Sequence, residues 1–373
     1  MNNIGSEFRM AIIDPVGSKA GLDVYDRRLA AALREAGIGA AVLSDTGDSS
    51  ASLPPFFKFE ETRNLFSVFR LYREFRRCVE WCEHHGIEAV LFHMFAFSRF
   101  DEWLLSRLRA RGIRTFVIVH DVEPFVARIS SRRRNRIVCE LSDEILVHND
   151  FAAEELRRVT GKSDGVTVIP HGHFIDELRP PADRQGARRR LGIPADAFCP
   201  LFFGMIKEVK GIDTFCEALE MVPEGVVGLV AGRPRGDHHA FMGKLQTLEK
   251  NRRLVLKAAY VSPEEMEDWM MAADCVVLPY KRSYQSGVAI QAMSRKVPVI
   301  LSDIPSHRRW VGSAASALPV PPGDAAAWVR AILHLRDRPE AGLELAESAY
   351  RQLSSNHAWM IPAGIIRNLL HKQ

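Results

Sequence analysis

The sequence predicts an α/β protein built from two parallel-sheet domains of similar size. Three observations carry that prediction. Short apolar runs alternate with amphipathic stretches along nearly the whole chain. The alternation pauses once, at the Pro-, Gly- and charge-rich Leu178–Asp196, and then resumes. The chain has 373 residues, 47% of them apolar, which suits two domains at roughly 100–200 residues each. Strands this apolar must be covered on both faces, as in a parallel sheet between helices.

Taken in order, Met10–Asp14 (MAIID) is a buried strand running into a Gly-containing loop. Leu22–Ala36 has helical spacing through Tyr25, Leu29, Ala32 and Leu33. Ala40–Leu43 is a strand, Arg63–His85 a long helix and Ala89–His93 a strand. Asp101–Arg111 is helical, Thr115–His120 a strand and Arg132–Leu141 helical. Glu144–His148, Ala152–Val159 and Val166–Pro170 follow as strand, helix and strand. Past the break, which reads as a linker with a short helix, strands fall at Cys199–Phe203, Val226–Ala231, Leu254–Ala259, Cys275–Pro279 and Val297–Leu301. Helices lie between them, for example Ile212–Met221 and Pro263–Ala273. Asp324 is placed to N-cap a helix over Asp324–Leu335, and Ala341–Leu370 holds two more. The expected division is a first domain over 1–178, a linker over 179–196, a second domain over 197–355 and a terminal helix over 356–373.

Composition excludes several classes. The apolar fraction rules out disorder, and 25 Gly and 20 Pro spread without period rule out collagen-like repeats. The first 180 residues hold 25 Lys+Arg against 26 Asp+Glu, and the remainder 25 against 20. That balance is too even for nucleic-acid binding, while a mildly basic second half suits an anionic small ligand. No run approaches the roughly 18–20 apolar residues needed to cross a bilayer, and no apolar signal segment opens the chain. Gly5–Phe8 (GSEF) matches a cloning junction; were it one, the native start would be Met10, and residues 1–8 are left out of the fold reading. The expected location is the cytoplasm, where the six scattered cysteines would be reduced. Cys78 and Cys82 lie one helical turn apart near His84 and His85, but no second ligand pair has zinc spacing. Two small side chains in a helix core are the simpler reading, so no metal is expected.

Polar residues gather at strand C-termini, where open α/β sheets bind ligands. Pro15–Gly21 (PVGSKAG) leads from the first strand into a helix, and Gly17 and Gly21 let backbone approach a ligand. It is not GxGxxG, so no dinucleotide fingerprint is present. His120-Asp121 closes another strand; a His there can donate to a sugar hydroxyl or phosphate, or it can be structural. Phe203-Gly204 ends the first strand of the second domain, followed by Lys207, Lys210 and Gly211. Two lysines three apart are compact countercharges for a diphosphate, or else solvated loop residues. The most informative stretch is Tyr280–Ile300 (YKRSYQSGVAIQAMSRKVPVI). A helix starting near Ser286-Gly287 would turn the N–H groups of Ser286, Gly287 and Val288 toward a phosphate. The alternative is a capped, buried helix.

At these residues the sequence resembles the GT-B glycosyltransferases, specifically the retaining family 4. The matching pieces run in order: Gly17–Gly21 before Leu22–Asp26, His120-Asp121, Val168–Gly172 (VIPHG), Phe203-Gly204 with Lys207 and Lys210-Gly211, Val230–Gly232, Ala272–Tyr280, Gln291–Met293, Val297–Ile300 and Pro322–Asp324. The resemblance implies two Rossmann-like domains facing a cleft, with a C-terminal helix crossing back to the N-terminal domain. It implies a nucleotide-sugar donor, held by Lys207 and Lys210 at the diphosphate and by the amides of Ser286, Gly287 and Val288 at the distal phosphate. Gly17 and Gly21 match the loop under that phosphate, and His120 matches a His near the transferred sugar. Gly204, Gly232, Tyr280 and Gln285 fall in the same donor segments, and Tyr25, His93 and Asp121 on the acceptor side.

One departure stands out. The family usually carries two Glu residues eight apart in the donor loop, and here Ser283 and Gln291 occupy those positions, beside a Gln285-Ser286-Gly287 variant. Gln291 can still bond a ribose hydroxyl. The implied reaction is retaining transfer of a hexose-type sugar from a UDP- or GDP-sugar to a saccharide or polyprenyl-diphosphate-linked acceptor, with no cofactor and no metal. A non-catalytic sugar-nucleotide-binding subunit and a GT-B-fold UDP-sugar epimerase are the alternatives. Arg63–Arg77 interleaves Arg63, Arg70, Arg73, Arg76 and Arg77 with Leu65, Phe66, Phe69, Leu71 and Phe75, and Pro124–Val138 carries five arginines and no acid. Either segment can lie peripherally on an anionic membrane, or be a core helix with solvated arginines.

Overall fold

The structure is a computed structural model that describes residues 9–17, 22–58, 65–95, 97–123, 131–177, 183–236, 239–310 and 315–372. The chain forms two compact units, Met1–Gly172 with His357–Gln373, and His173–Asn356. The terminal helix thus belongs to the first unit. The division falls at Gly172, ahead of the expected 179–196 linker.

In the first unit the elements run β1 (Met10–Ile13), α1 (Asp23–Glu35), β2 (Ala40–Leu43), α2 (Leu65–His84), β3 (Ala89–Met94), α3 (Arg99–Arg109), β4 (Arg114–Val119), α4 (Ser131–Asn135), β5 (Glu144–Val147), α5 (Asp150–Thr160) and β6 (Val166–Val168). The six strands pair in parallel in the order β2-β1-β3-β4-β5-β6. β1, β2 and β3 are buried at every position, as sheets covered on both faces require. The helix expected over Arg132–Leu141 is α4 continued by a π-helical turn, Arg136–Glu140.

The second unit runs α6 (Arg184–Leu191), β7 (Pro200–Phe203), α7 (Ile212–Met221), β8 (Gly228–Ala231), α8 (His239–Lys250), β9 (Leu254–Lys257), α9 (Pro263–Ala272), β10 (Cys275–Leu278), α10 (Gly287–Ser294), β11 (Val299–Ser302), β12 (Leu318–Val320), α11 (Ala325–Asp337) and α12 (Pro339–Asn356). Its parallel sheet has the order β12-β11-β10-β7-β8-β9. β12 escaped the sequence reading because it is short and contains Pro319; proline is tolerated there because β12 is an edge strand. α6 lies inside the expected linker. Its Arg188, 5% exposed, donates to Asp274 Oδ2 at 2.8 Å and to the Ala272 carbonyl at 3.2 Å. Asp274 in turn accepts from the Cys199 N–H at 2.6 Å, tying α6 to the start of β7.

The last helix, α13 (Met360–His371), returns to the first sheet. Trp359, Ala363, Ile366, Leu369 and Leu370 share one buried cluster with Met10, Tyr25, Leu29, Leu91 and Ile118. Arg114 fastens its end through the Leu369 and Leu370 carbonyls at 3.1 and 3.0 Å. Gly172 meets Trp359 so closely that a Cβ there would lie 2.2 Å from the indole. Cys78 and Cys82 are buried in α2, their thiols raised by burial, and no His/Cys/Asp/Glu metal cluster exists among the described residues.

Candidate functional site

In each sheet the strand order reverses once, between β1 and β3 and between β7 and β10. Such a switch point splays the loops at the strand C-termini and leaves room for a ligand. The residues singled out in the sequence lie at these two places.

At the second unit's switch point, the loops after β7, β8 and β10 interlock through glycines. A Cβ on Gly232 would sit 1.6 Å from the Gly204 carbonyl oxygen, and one on Gly211 1.8 Å from the Pro279 carbonyl oxygen. Gly211 also has φ +71°, open to glycine at little cost. Ile206 and Pro234 form an isolated parallel bridge that aligns the first two loops. Lys210 Nζ rests 3.9 Å from the Tyr280 ring centroid, a cation–π contact. Tyr280 is 2% exposed; burial pushes its hydroxyl up to about 12, against the opposing effect of its hydrogen bond with Ser286. The acids flanking the lysine pair are already matched: Lys281 Nζ lies 2.7 Å from Asp213 and 3.1 Å from Glu208.

α10 begins where the sequence places it. Ser286 is its N-cap, accepting from the Ala289 N–H at 3.2 Å. Gly287 and Val288 then occupy the first turn, whose N–H groups have no acceptor within the helix. Val288 Cγ2 comes 3.6 Å from where a Gly204 Cβ would be, so the end of β7 adjoins the start of α10. Ser283 is 2% exposed and donates its hydroxyl to the Gln285 carbonyl at 2.8 Å, shaping the loop. The Gln285 side-chain nitrogen is buried with no hydrogen-bond partner among the described residues. Gln291 lies within α10, where its Oε1 accepts from Arg295 at 2.5 Å. Arg295 is clamped in turn by Glu267. A guanidinium has only donors, so the Gln291 oxygen is the atom turned to Arg295, and the NH2 group is not used in that contact.

At the first unit's switch point the side chains are mostly buried. Gly17 has φ +44°, and a Cβ there would lie 2.0 Å from Asp45 Oδ1; Gly21 lies outside the described residues. Tyr25 and His93, expected as acceptor contacts, are 0% and 4% exposed. The Tyr25 ring meets His93, His148, His171 and Trp359 edge-on. His120 is half-buried and Asp121 beside it likewise. His93 Nδ1 is 2.8 Å from His120 Nε2, and His93 Nε2 is 2.8 Å from Asp26 Oδ1. Burial pushes the Asp26 carboxyl up to about 7, opposed by His93 and reinforced by Asp14. His93 is raised: Asp26 outweighs the burial that opposes its charge. His120 is well below the usual histidine range, through burial and then its three histidine neighbours.

The sequence reading passed over Asp14, Asp26 and His148 here, and Lys281, Arg295 and His307 in the second unit. A signal existed for the first group. β3 ends in His93-Met94, and His120, His148 and His171 follow β4, β5 and β6. Histidine near four consecutive parallel strand ends falls in one layer of one site.

Comparison with known proteins follows the same division. Residues 20–176 match the family model Glycosyltransferase Family 4, and residues 199–338 match Glycosyl transferases group 1. A D-inositol 3-phosphate glycosyltransferase of Streptomyces avermitilis is 28% identical over 221 residues, 56% of this chain and 48% of that protein. One from Xylanimonas cellulosilytica is 31% identical over 200 residues, 51% and 48% of the two chains. The chain thus spans about half the length of the curated relatives it matches. A sucrose-phosphate synthase from Thermosynechococcus elongatus superimposes with TM-score 0.77 at 22% identity, over 97% of this chain and 98% of that one. Anabaena HepE in complex with UDP and glucose gives TM-score 0.81 at 14% identity, over 98% and 100%. The fold is GT-B.

Proposed function

We propose that this chain, a GT-B protein whose halves match the family 4 and group 1 glycosyltransferase models, moves a hexose-type sugar from a UDP- or GDP-sugar to a saccharide or lipid-linked saccharide acceptor. The observation that carries the reading is the gathering of Gly204, Lys210, Tyr280, Ser286 and Val288 at one topological switch point. Glycine turns allow close approach, the lysines supply positive charge, and the Gly287 and Val288 amides add donors that the helix itself does not use. HepE, with UDP and glucose bound, has the same fold.

Breaking the sugar–phosphate bond develops oxocarbenium character on the sugar and negative charge on the departing diphosphate. Lys207, Lys210 and the amides of Gly287 and Val288 would stabilise that charge, so the reading calls for no metal ion. A front-face attack in which the leaving phosphate takes the acceptor proton retains configuration, and it suits a site with no carboxylate placed as nucleophile among the described residues. The reaction would serve surface polysaccharide or glycolipid assembly at the cytoplasmic face of a membrane, with α2 as a peripheral contact. No described helix is long and apolar enough to cross a membrane. A second reading, binding without turnover, rests on Ser283, which replaces the usual donor-loop Glu and bonds the Gln285 carbonyl.

A thermal-shift panel of UDP-, GDP-, ADP- and dTDP-sugars tests this. The right donor at about 100 times its dissociation constant stabilises by roughly 2.7 kcal/mol. Lys207→Ala and Lys210→Ala are expected to weaken that shift and to cut transfer by roughly one to three orders of magnitude. No shift with any donor defeats the reading. A shift with neither transfer nor hydrolysis selects binding without turnover.

A further inference from the structure

The first unit holds a buried chain of polar groups that the donor site does not use. Asp26 on α1 faces His93 on β3, and His93 faces His120 just past β4. Asp26 and His93 are 1% and 4% exposed, whereas His120 keeps contact with solvent. The chain therefore runs from a sealed carboxylate to a histidine at the surface of the switch point. The other titratable groups around it are Asp14 at the end of β1, Tyr25 on α1, His148 past β5 and His171 past β6. Tyr25 stays neutral, its hydroxyl raised by burial. His148 Nδ1 and His171 Nδ1 lie 3.2 and 2.7 Å from the Ile169 and Gly172 carbonyl oxygens, so each is held by backbone.

The hydrogen bonding of this chain has two self-consistent states. An ionised carboxylate only accepts, so with Asp26 ionised and His93 neutral the His93 hydrogen is on Nε2. His93 Nδ1 then carries a lone pair and accepts from His120 Nε2–H. The remaining nitrogen of His120, Nδ1, is left as an acceptor. Adding one proton to the Asp26–His93 pair reverses this. Whether that proton sits on the carboxyl or makes His93 an imidazolium, His93 Nδ1 now bears hydrogen and donates to His120 Nε2. His120 must then carry its own hydrogen on Nδ1. The balance is one proton: it enters at His120 Nδ1 while the Nε2 proton passes to His93 Nδ1, and His93 either keeps its Nε2 proton as an imidazolium beside the Asp26 carboxylate or hands that proton to the carboxylate and neutralises it.

We infer that Asp26 and His93 are positioning residues that set the tautomer of His120, making its outer nitrogen an acceptor when the pair is deprotonated and an N–H donor when it is protonated. Burial and the neighbouring Asp14 place the carboxyl near neutrality, so both states are within reach of ordinary conditions. For the proposed transfer, on which only this use rests, the donor state would hold a sugar hydroxyl or phosphate oxygen and the acceptor state would not.

Histidine ring nitrogens report tautomers directly, so the test is a 15N titration of labelled full-length protein between pH 5 and 9. His93 and His120 should share one step, with His120 Nδ1 bearing hydrogen below it and His120 Nε2 above it. In Asp26→Asn the step should move down by about 1–3 pH units, the size of a neighbouring opposite charge. If donor turnover is present, its pH profile should move with it. A wild-type His120 that keeps one tautomer across the range overturns the inference without any variant. So does a proton held between Asp14 and Asp26 while both rings stay unchanged. A shared step in a protein that neither binds nor turns over any sugar nucleotide leaves the inference standing and removes the proposed function instead.

Discussion

His307 shows what a buried titratable side chain does to stability. It is 1% exposed, its Nδ1 lies 3.0 Å from the Ser302 carbonyl oxygen, and its Nε2 meets no hydrogen-bond partner among the described residues. Burial pushes it down to about 4, and Lys210 adds to the depression. An unfolded histidine titrates near about 6.5, so the unfolded chain binds the proton first on acidification. The contribution of His307 is therefore fully present above about pH 6.5 and is lost as pH falls through about 4. Urea unfolding at pH 7 and pH 4.5 checks this: His307→Gln should lose less stability between the two than the wild type does. Equal losses would mean His307 is not buried and neutral. The residue was invisible to motif reading because its burial is a tertiary property, with its ring 5.8 Å from that of Tyr280.

Single elements follow local rules well, which is why most of them were legible. Asp324 caps α11 through the Ala327 N–H at 2.9 Å, as its position before an apolar-periodic stretch implied. Ser286 does the same for α10. α4 was harder, since a π-helical turn leaves the sequence pattern helical while widening the backbone. α2 carries more information than its core face. Phe75, Cys78, Val79 and Cys82 are buried, whereas Val68, Phe69 and Tyr72 are 39%, 69% and 40% exposed. Phe69, Tyr72, Arg73 and Arg76 recur at the spacing of one helical face. Part of the basic charge is matched, Arg70 by Glu74 and Arg76 by Glu80 at 3.4 and 3.0 Å. An apolar patch bordered by arginine suits the boundary of an anionic bilayer. Co-sedimentation with phosphatidylglycerol vesicles at low salt should capture the protein, and Phe69→Asp should release it. Absence of binding by the wild type at low salt excludes the membrane contact. Arg63 and Arg128 lie outside the described residues.

On the scale of the molecule, the two units differ in how the chain completes them. The second is one continuous segment with its own core around Phe202, Phe215, Val230, Val277 and Trp328. The first needs both ends of the chain, because α13 supplies Ile366 and Leu369 to the cluster under β1 and β3. Deleting one large buried side chain costs about 3–5 kcal/mol, and a whole domain has only about 5–15 kcal/mol to lose. A fragment of residues 173–356 should therefore unfold cooperatively in urea, and a fragment of residues 1–172 should not. A cooperative transition in the shorter fragment alone would show that α13 is dispensable.

Strand and helix positions, the caps at Ser286 and Asp324 and the glycine turns at Gly204 and Gly211 could be read from neighbouring residues, because periodicity, capping and left-handed backbone are properties of a few consecutive positions. Strand order could not. The reversal between β7 and β10 brings Gly204 beside Val288 and Lys210 beside Tyr280, and the one between β1 and β3 brings Asp26 to His93. These partners are at least 67 residues apart. Their meeting follows from how helices cross over the sheets and close the core, an energy shared by the whole fold and written in no short stretch of it.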